Sequence, residues 1–439
     1  MTAAVKDRQA AKYSHSKHGD ARVLWMARRH GDLLKKSVTI AELQFGMYVA
    51  ELDRPWTDTP FKFQGFVLET HEELEILRRS CSVVFVDPER QETASPLTDT
   101  IPPRTRAKVD LAPTGKSGWN ELATVEEEYP SAAASYGAAG IVVRDALLAL
   151  RSGKTLQADK LREAVSLVTE SVLRNPDAML LFSKLWEKGD YIESHAMDCA
   201  IYMAAFGRFL DMSREDIVLL AYLGLLQDVG KVKLPTGLIE KPARLIPIEY
   251  QLVQKHVDYS AEILRGTPGL PWRLADLATL HHERLDGSGY PRRLKGNDIG
   301  MIGSIAGIVD TFDALTARRP YAAPISPSEA LKVLYKERGS LFDTYLVEQF
   351  IRCIGIYPLG SMVELNGGEI GTVVAQNRGK RLQPRVIIVQ DAAGHPVRPQ
   401  KLIDLSRGIT AADGLPYRIK RAREFSRTPI GAMDVFFGS

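Results

Sequence analysis

Four of the nine histidines, His195, His256, His281 and His282, share the central part of the chain with the acids Asp228 and Asp310. Imidazole nitrogens and carboxylate oxygens together suit a borderline divalent ion such as iron, manganese or zinc, whereas calcium and magnesium favour all-oxygen sites. A single histidine is more often a satisfied structural residue than a ligand. Here four histidines, two acids and a Gly-Ser-Gly-Tyr-Pro loop coincide, and metal binding is the chemistry the set points to.

The adjacent pair sets a geometric condition. Successive residues of an α-helix point ~100° apart, so His281 and His282 would diverge in mid-helix. Asp286-Gly287-Ser288-Gly289-Tyr290-Pro291 follows them, and two glycines and a proline end a helix. Relaxed backbone there would let both rings converge, and the loop would allow close approach of a ligand.

The elements that must carry these residues are helical. From about Ala132 to Ile356, apolar residues recur at helical spacing, as in Leu161 to Leu173 and Leu252 to Leu264. Before them, Val38 to Pro88 shows short β-rich runs, Met47 to Ala50 and Val83 to Val86, around a helical pattern at Glu72 to Arg79. After Tyr357-Pro358 the pattern alternates: Met362 to Leu365, a turn at Asn366-Gly367-Gly368, Ile370 to Ala375, and a further strand at Val386 to Val389. The expected architecture is a mainly α bundle core with a small α+β N-terminal domain and a β-rich C-terminal tail. Its divisions are a flexible basic tail over 1–36, the α+β domain over 37–90, a linker over 91–130, the helical domain over 131–356 and a β-rich extension over 357–439.

Composition excludes more than it selects. At 439 residues, 45% hydrophobic and 25% charged, the chain is an ordinary multi-domain globular protein. A net charge of +3 offers no footprint for duplex nucleic acid. Cys81, Cys199 and Cys353 form no CxxC pair, and reduced structural thiols are expected. No signal-peptide core and no uninterrupted apolar run of ~18 residues is present, so a cytoplasmic chain without membrane insertion is expected.

From about Asp190 to Ile356 the sequence resembles the HD-GYP family of cyclic di-GMP phosphodiesterases, a branch of the HD metal-dependent phosphohydrolases. Leu225-Leu226-Gln227-Asp228-Val229-Gly230-Lys231 matches the position of the HD motif, His281-His282-Glu283 and the Asp286–Pro291 loop match the HHE and GYP motifs, and Asp310-Thr311-Phe312-Asp313-Ala314-Leu315 with Arg319-Pro320-Tyr321 matches the closing segment. The resemblance implies two divalent ions, iron or manganese. His195, the HD position, Asp228 and Asp310 would surround the first, and Asp228 would bridge to the second, held by His256, His281 and His282. Two such ions activate water for in-line attack on a phosphodiester and stabilise phosphate charge. Catalytic roles fall to Asp228 and Lys231, and contacts with cyclic di-GMP to Lys231, Tyr290 and Arg319. Against these stand plainer readings: Lys231 as a helix-end cation, Arg319 paired with an acid, Tyr290 as a buried turn residue. Residues Leu43 to Val49 and Phe63 to Val86 resemble the small domain of unknown function that often precedes HD-GYP domains.

Three positions depart from the family pattern. Gln227 stands where the first residue of the HD motif is normally histidine, and a neutral amide oxygen is a poorer ligand for a borderline metal, so the first site is expected to be weak. Ala322 replaces a basic residue common after Arg-Pro-Tyr, and Tyr191 is not the carboxylate of three-metal members. Two functions therefore stay open: a phosphodiesterase giving linear pGpG and/or GMP in second-messenger signalling, or a degenerate cyclic di-GMP receptor or docking module, with a diguanylate cyclase domain or a second copy of the chain as partner. Hydrolysis of another phosphoester is a third option.

Overall fold

The structure, a computed structural model, describes residues 36–54, 59, 65–68, 70–87, 119–185, 191–317 and 324–423. Residues 1–35 of the basic tail, most of the expected linker, and Arg319, Pro320, Tyr321 and Ala322 lie outside the described residues, while Lys36, assigned to the tail, opens a strand. The chain divides into two units, one of which comprises the described residues from Lys36 to Arg54 and from Gly65 to Asp87.

That N-terminal unit is a four-stranded antiparallel sheet with one helix. Strands β1 (Lys36–Thr39), β2 (Tyr48–Leu52), β3 (Phe66–Val67) and β4 (Val83–Asp87) lie in the order β1-β4-β2-β3. Helix α1 (His71–Ser80) starts on a capping box: Thr70 accepts from the Glu73 amide and Glu73 accepts from the Thr70 amide, satisfying donors the first turn leaves open. Leu74 and Leu77, on one face of α1, are buried with Val84 and Val86 in this unit's core.

The second unit is built of twelve helices among the described residues, followed by a sheet. Helix α2 (Val125–Arg151) begins within the stretch read as linker to 130. Pro130 looks like a breaker, but the Thr124/Glu127 capping box nucleates the helix upstream of it. Residues Tyr129, Ala132, Tyr136, Ala139, Val143 and Leu147 form the buried stripe of α2. It packs with α3 (Ala158–Arg174), α4 (Pro176–Leu185) and α5 (Tyr191–Phe209). Helix α5 is buried almost all round and forms the centre of the bundle. Against it lies α6 (Arg214–Leu226), so closely at Gly224 that a Cβ there would come within 2.5 Å of the Cys199 carbonyl carbon.

Short helices α7 (Thr236–Ile239), α8 (Pro247–Gln254), α9 (His256–Arg265) and α10 (Leu274–Leu277) lead to the buried α11 (Gly300–Thr316), then to α12 (Pro327–Lys336) and α13 (Thr344–Ile354). The apolar run Leu252 to Leu264, read as one helix, breaks at Lys255. There the His256 ring donates from Nδ1 to the Val253 carbonyl at 2.6 Å, using an acceptor at the end of α8. By length and hydropathy α2 and the segment Gly296–Thr316 could cross a membrane; most of the apolar window of the latter is buried in the helical core, against a third of that of α2.

The C-terminal strands β5 (Met362–Leu365), β6 (Ile370–Ala375), β7 (Arg385–Gln390), β8 (Pro396–Asp404) and β9 (Ile419–Ala422) form an antiparallel sheet in the order β8-β7-β6-β5-β9. The expected β-rich C-terminal part is this sheet, and it joins the helical core. Val373, Val374, Ile387 and Ile403 belong to the same buried cluster as Leu181 and Phe350. The Gln376 amide donates to Asp177 of α4 at 2.7 Å, and Arg385 pairs with Glu126 of α2.

Candidate metal centre

The residues singled out from the sequence converge from five places. Helix α5 supplies His195, the end of α6 supplies Gln227 and Asp228, α9 opens on His256, and α11 carries Asp310. His281 and His282 sit on the turns that follow α10. Their two rings do converge, with centroids 4.1 Å apart, because the backbone leaves the helix at Leu277, before the pair. The loop behind them is held by Glu283, whose buried carboxylate accepts from the Arg292 amide at 2.7 Å and the Leu294 amide at 2.8 Å. It folds back so tightly that a Cβ at Gly289 would come within 2.5 Å of the His282 carbonyl oxygen and Glu283 Cα.

Two groups of donors result. In the first, His195, Cys199 and Asp310 each offer an atom within 4.8 Å of the others. In the second, Asp228, His256, His281 and His282 do the same. Asp228 connects them: one carboxylate oxygen is 3.0 Å from His195 Nε2 and the other 3.1 Å from His256 Nε2.

The tautomers in the second group follow from the acceptors. His256 Nδ1 faces the Val253 carbonyl and His281 Nδ1 the Ala278 carbonyl, at 2.6 and 2.8 Å. A carbonyl only accepts, so both Nδ1 atoms carry hydrogen, and in the neutral rings both Nε2 atoms present lone pairs. Those lone pairs face each other at 3.4 Å beside Asp228. Burial drives the His281 pKa down to about 4 and, with His281 as neighbour, holds His282 well below the ordinary range. Three buried imidazoles that converge on a carboxylate, with His281 and His282 held neutral, leave a place for a cation among them, so this donor set fits a divalent metal ion.

The first group is charged instead. Burial opposes protonation of His195, but Cys199, Tyr191, Asp228 and Asp310 outweigh it and keep the ring protonated well above its usual range. Its Nδ1 donates to Asp313 at 2.7 Å and its Nε2 lies 3.1 Å from Asp310. Lys184 steadies that outer carboxylate, with Nζ 3.2 Å from Asp198 and 3.8 Å from Asp313. Burial raises Asp228 and Asp310, yet Lys231 and the protonated His195 beside the former, and His195 beside the latter, hold both well below the ordinary carboxylate range.

Gln227 is fully buried. Its amide nitrogen lies 3.5 Å from Asp310, and its Oε1 has no hydrogen-bond partner among the described residues. Lys231 is not a solvated helix-end cation: its ammonium sits on Asp228 at 2.8 Å, which more than offsets burial and raises its pKa. Tyr290 stacks on His282 at 4.6 Å between centroids, half-buried at the rim. Tyr191 stacks on His195. Arg319 lies outside the described residues. Asp313 and Cys199 were not singled out by sequence reasoning, although each stands one helical turn beyond a chosen residue, Asp310 and His195 respectively.

Comparison with known proteins agrees with this architecture. A family model described as HD domain matches residues 185–346, one described as a domain of unknown function (DUF3391) matches 35–161, and one described as a KOW domain associated with HD domain matches 362–411. A cyclic di-GMP phosphodiesterase of Pseudomonas aeruginosa is 30% identical over 378 residues, covering 85% of this chain and 89% of its own. A 3'3'-cGAMP-specific phosphodiesterase of Vibrio cholerae is 36% identical over 156 residues, 35% of this chain and 30% of that protein. A cyclic di-GMP phosphodiesterase of Thermotoga maritima is 35% identical over 144 residues, 33% of this chain and 39% of that protein.

Proposed function

Because the chain belongs to the HD-GYP branch of the HD-domain family, we propose that it is a metal-dependent phosphodiesterase that opens cyclic di-GMP to linear pGpG and/or GMP. The observation that carries this reading is Asp228, a buried carboxylate with one oxygen against each donor group. A metal pair held there would supply charge neutralisation for phosphate and a nucleophile from water at neutral pH. The residues themselves divide the remaining work. His256 and His281 keep lone pairs aimed inward because backbone carbonyls hold their other nitrogens. Lys231 sets a point charge beside Asp228, in reach of a phosphate oxygen that arrives there. Tyr290, stacked on His282 and partly exposed, offers a face to a base, and Arg319 is assigned to a phosphate. The reading places the enzyme in the cytoplasm of a bacterium, where its free cysteines would stay reduced.

A second reading is favoured by Gln227. With an amide where the family has imidazole, the chain would bind cyclic di-GMP without turnover. Chromatographic detection of products from cyclic di-GMP, by protein purified anaerobically with iron or manganese, decides between them when run beside Gln227→His. Turnover by the native chain excludes the receptor-only reading. Turnover only by the variant makes the chain a receptor with an otherwise intact site. Silence from both, with metal bound, sends the search to another phosphoester, with 3'3'-cGAMP as the first to try.

A further inference from the structure

We propose that Cys199 is a metal ligand, its thiolate completing the first ion's shell where Gln227 has taken the place of histidine. The inference rests on the metal-dependent reading above and sharpens it.

Three observations carry it. Cys199 follows His195 by four residues on α5, so both side chains leave the same face one turn apart. Its sulfur is 3.7 and 3.8 Å from the two ring nitrogens of His195 and within 4.8 Å of an Asp310 oxygen. His195, Cys199 and Asp310 each bring one donor atom within 4.8 Å of the other two, the grouping a metal-binding His-Cys-Asp set requires. Second, the amide oxygen of Gln227 is buried without a hydrogen-bond partner among the described residues, while the amide nitrogen reaches Asp310 of the same group. An orphaned acceptor in a dry pocket is costly unless a cation meets it. Third, α5 and α6 are pressed together at Gly224, against the backbone of Cys199 and Ala200, so the main chain that carries the thiol is fixed at the crossing.

On binding, the S–H bond would break as the sulfur–metal bond forms, the protonated His195 would give up its Nε2 hydrogen, and both protons would leave to solvent, with no electron transfer. Thiolate is a soft donor, so the first site would select zinc or iron(II) over manganese. This explains how a chain with Gln227 could keep a first ion: imidazole is lost from α6 and sulfur is gained from α5.

The test is the absorption spectrum of the full chain loaded anaerobically with cobalt(II), with turnover of cyclic di-GMP assayed on the same samples. The native chain should show a sulfur-to-cobalt charge-transfer band in the near ultraviolet. The Cys81→Ser/Cys353→Ser double variant, in which Cys199 is the remaining thiol of three, should keep it. Cys199→Ser should lose it and bind zinc about 10–100-fold more weakly, with a smaller change for manganese. If Cys199→Ser does not fold, the double variant still decides. Cobalt bound without the band, or a band that survives Cys199→Ser, overturns the proposal and leaves the phosphodiesterase reading standing. Failure to take up cobalt at all sinks the metal-dependent reading itself.

Discussion

The Asp228 carboxylate among the helices and the Glu364 carboxylate in the C-terminal sheet are both buried, and both sit against cations, yet they are completed differently. Glu364 receives Lys420 at 3.2 Å and both Arg421 and Arg423 at 2.8 Å, three side chains that are charged at any working pH. Asp228 has one such partner, Lys231; its other neighbours are imidazole nitrogens. Beside it the nearby Gln227 oxygen is left open. A carboxylate saturated by permanent cations fastens strands together. One left among lone pairs and protons is arranged for a guest, and the stability forgone by that incompleteness is available for binding.

The largest effect separating the two regions is expected from Asp228→Asn, which should lower turnover of cyclic di-GMP about a thousandfold or more and reduce bound metal, measured by product chromatography and elemental analysis. Turnover within tenfold of native would erase the distinction and make Asp228 as structural as Glu364. Next comes Asp313→Asn, which removes the charged acceptor that orients His195. Metal affinity in equilibrium dialysis should fall about 10–100-fold, and an unchanged value would deny Asp313 any positioning role.

Smaller in scale is Glu364→Gln. It should cost about 1–2 kcal/mol in denaturant unfolding and leave turnover as it was. A loss of activity without a loss of stability would reverse the assignment of the two regions.

Smallest is the acid dependence of that same contribution. Burial raises the Glu364 pKa, but hydrogen bonds from Arg423 and Arg421 more than compensate and bring it to about 2. A folded pKa below the unfolded value of ~4.3 means the contribution is complete above that pH and disappears as pH falls toward 2. Native and Glu364→Gln unfolding curves should therefore differ at pH 6 and draw together near pH 2. A gap that persists at pH 2 would show that the ion pairs are not its source.

What could be read from the sequence followed from strong local signals. That His281 and His282 lie on non-helical backbone was legible in the Gly287, Gly289 and Pro291 that follow, although the helix ends earlier, at Leu277, and the β5–β6 hairpin was legible because Asn366-Gly367-Gly368 separates two apolar runs; Gly368 adopts φ +93° there. The break at Lys255 was hidden because the apolar period runs through it without a change of phase; the Lys255 amide turning to Leu252 and the His256–Val253 hydrogen bond mark it. The start of α2 was concealed by Pro130, though Thr124 and Glu127 carried the capping signal. Asp313 and Cys199 depend on which face α11 and α5 turn to each other, a tertiary fact that one helix's spacing narrows to a turn but does not choose.

The shared core of helices and C-terminal sheet has a consequence for how the chain is made. Leu181 and Phe350 lie in the cluster that Val373 and Ile387 complete, so the last strands cover apolar surface that is synthesised well before them. At ~5–20 residues per second, a ribosome needs roughly 3–12 s to pass from β5 to the end of β9. During those seconds the helical bundle stands in the cell with its sheet-facing side uncovered. The nascent chain is then a natural client for a chaperone, and a stop codon placed after α13 would lengthen that exposure from seconds to the lifetime of the protein.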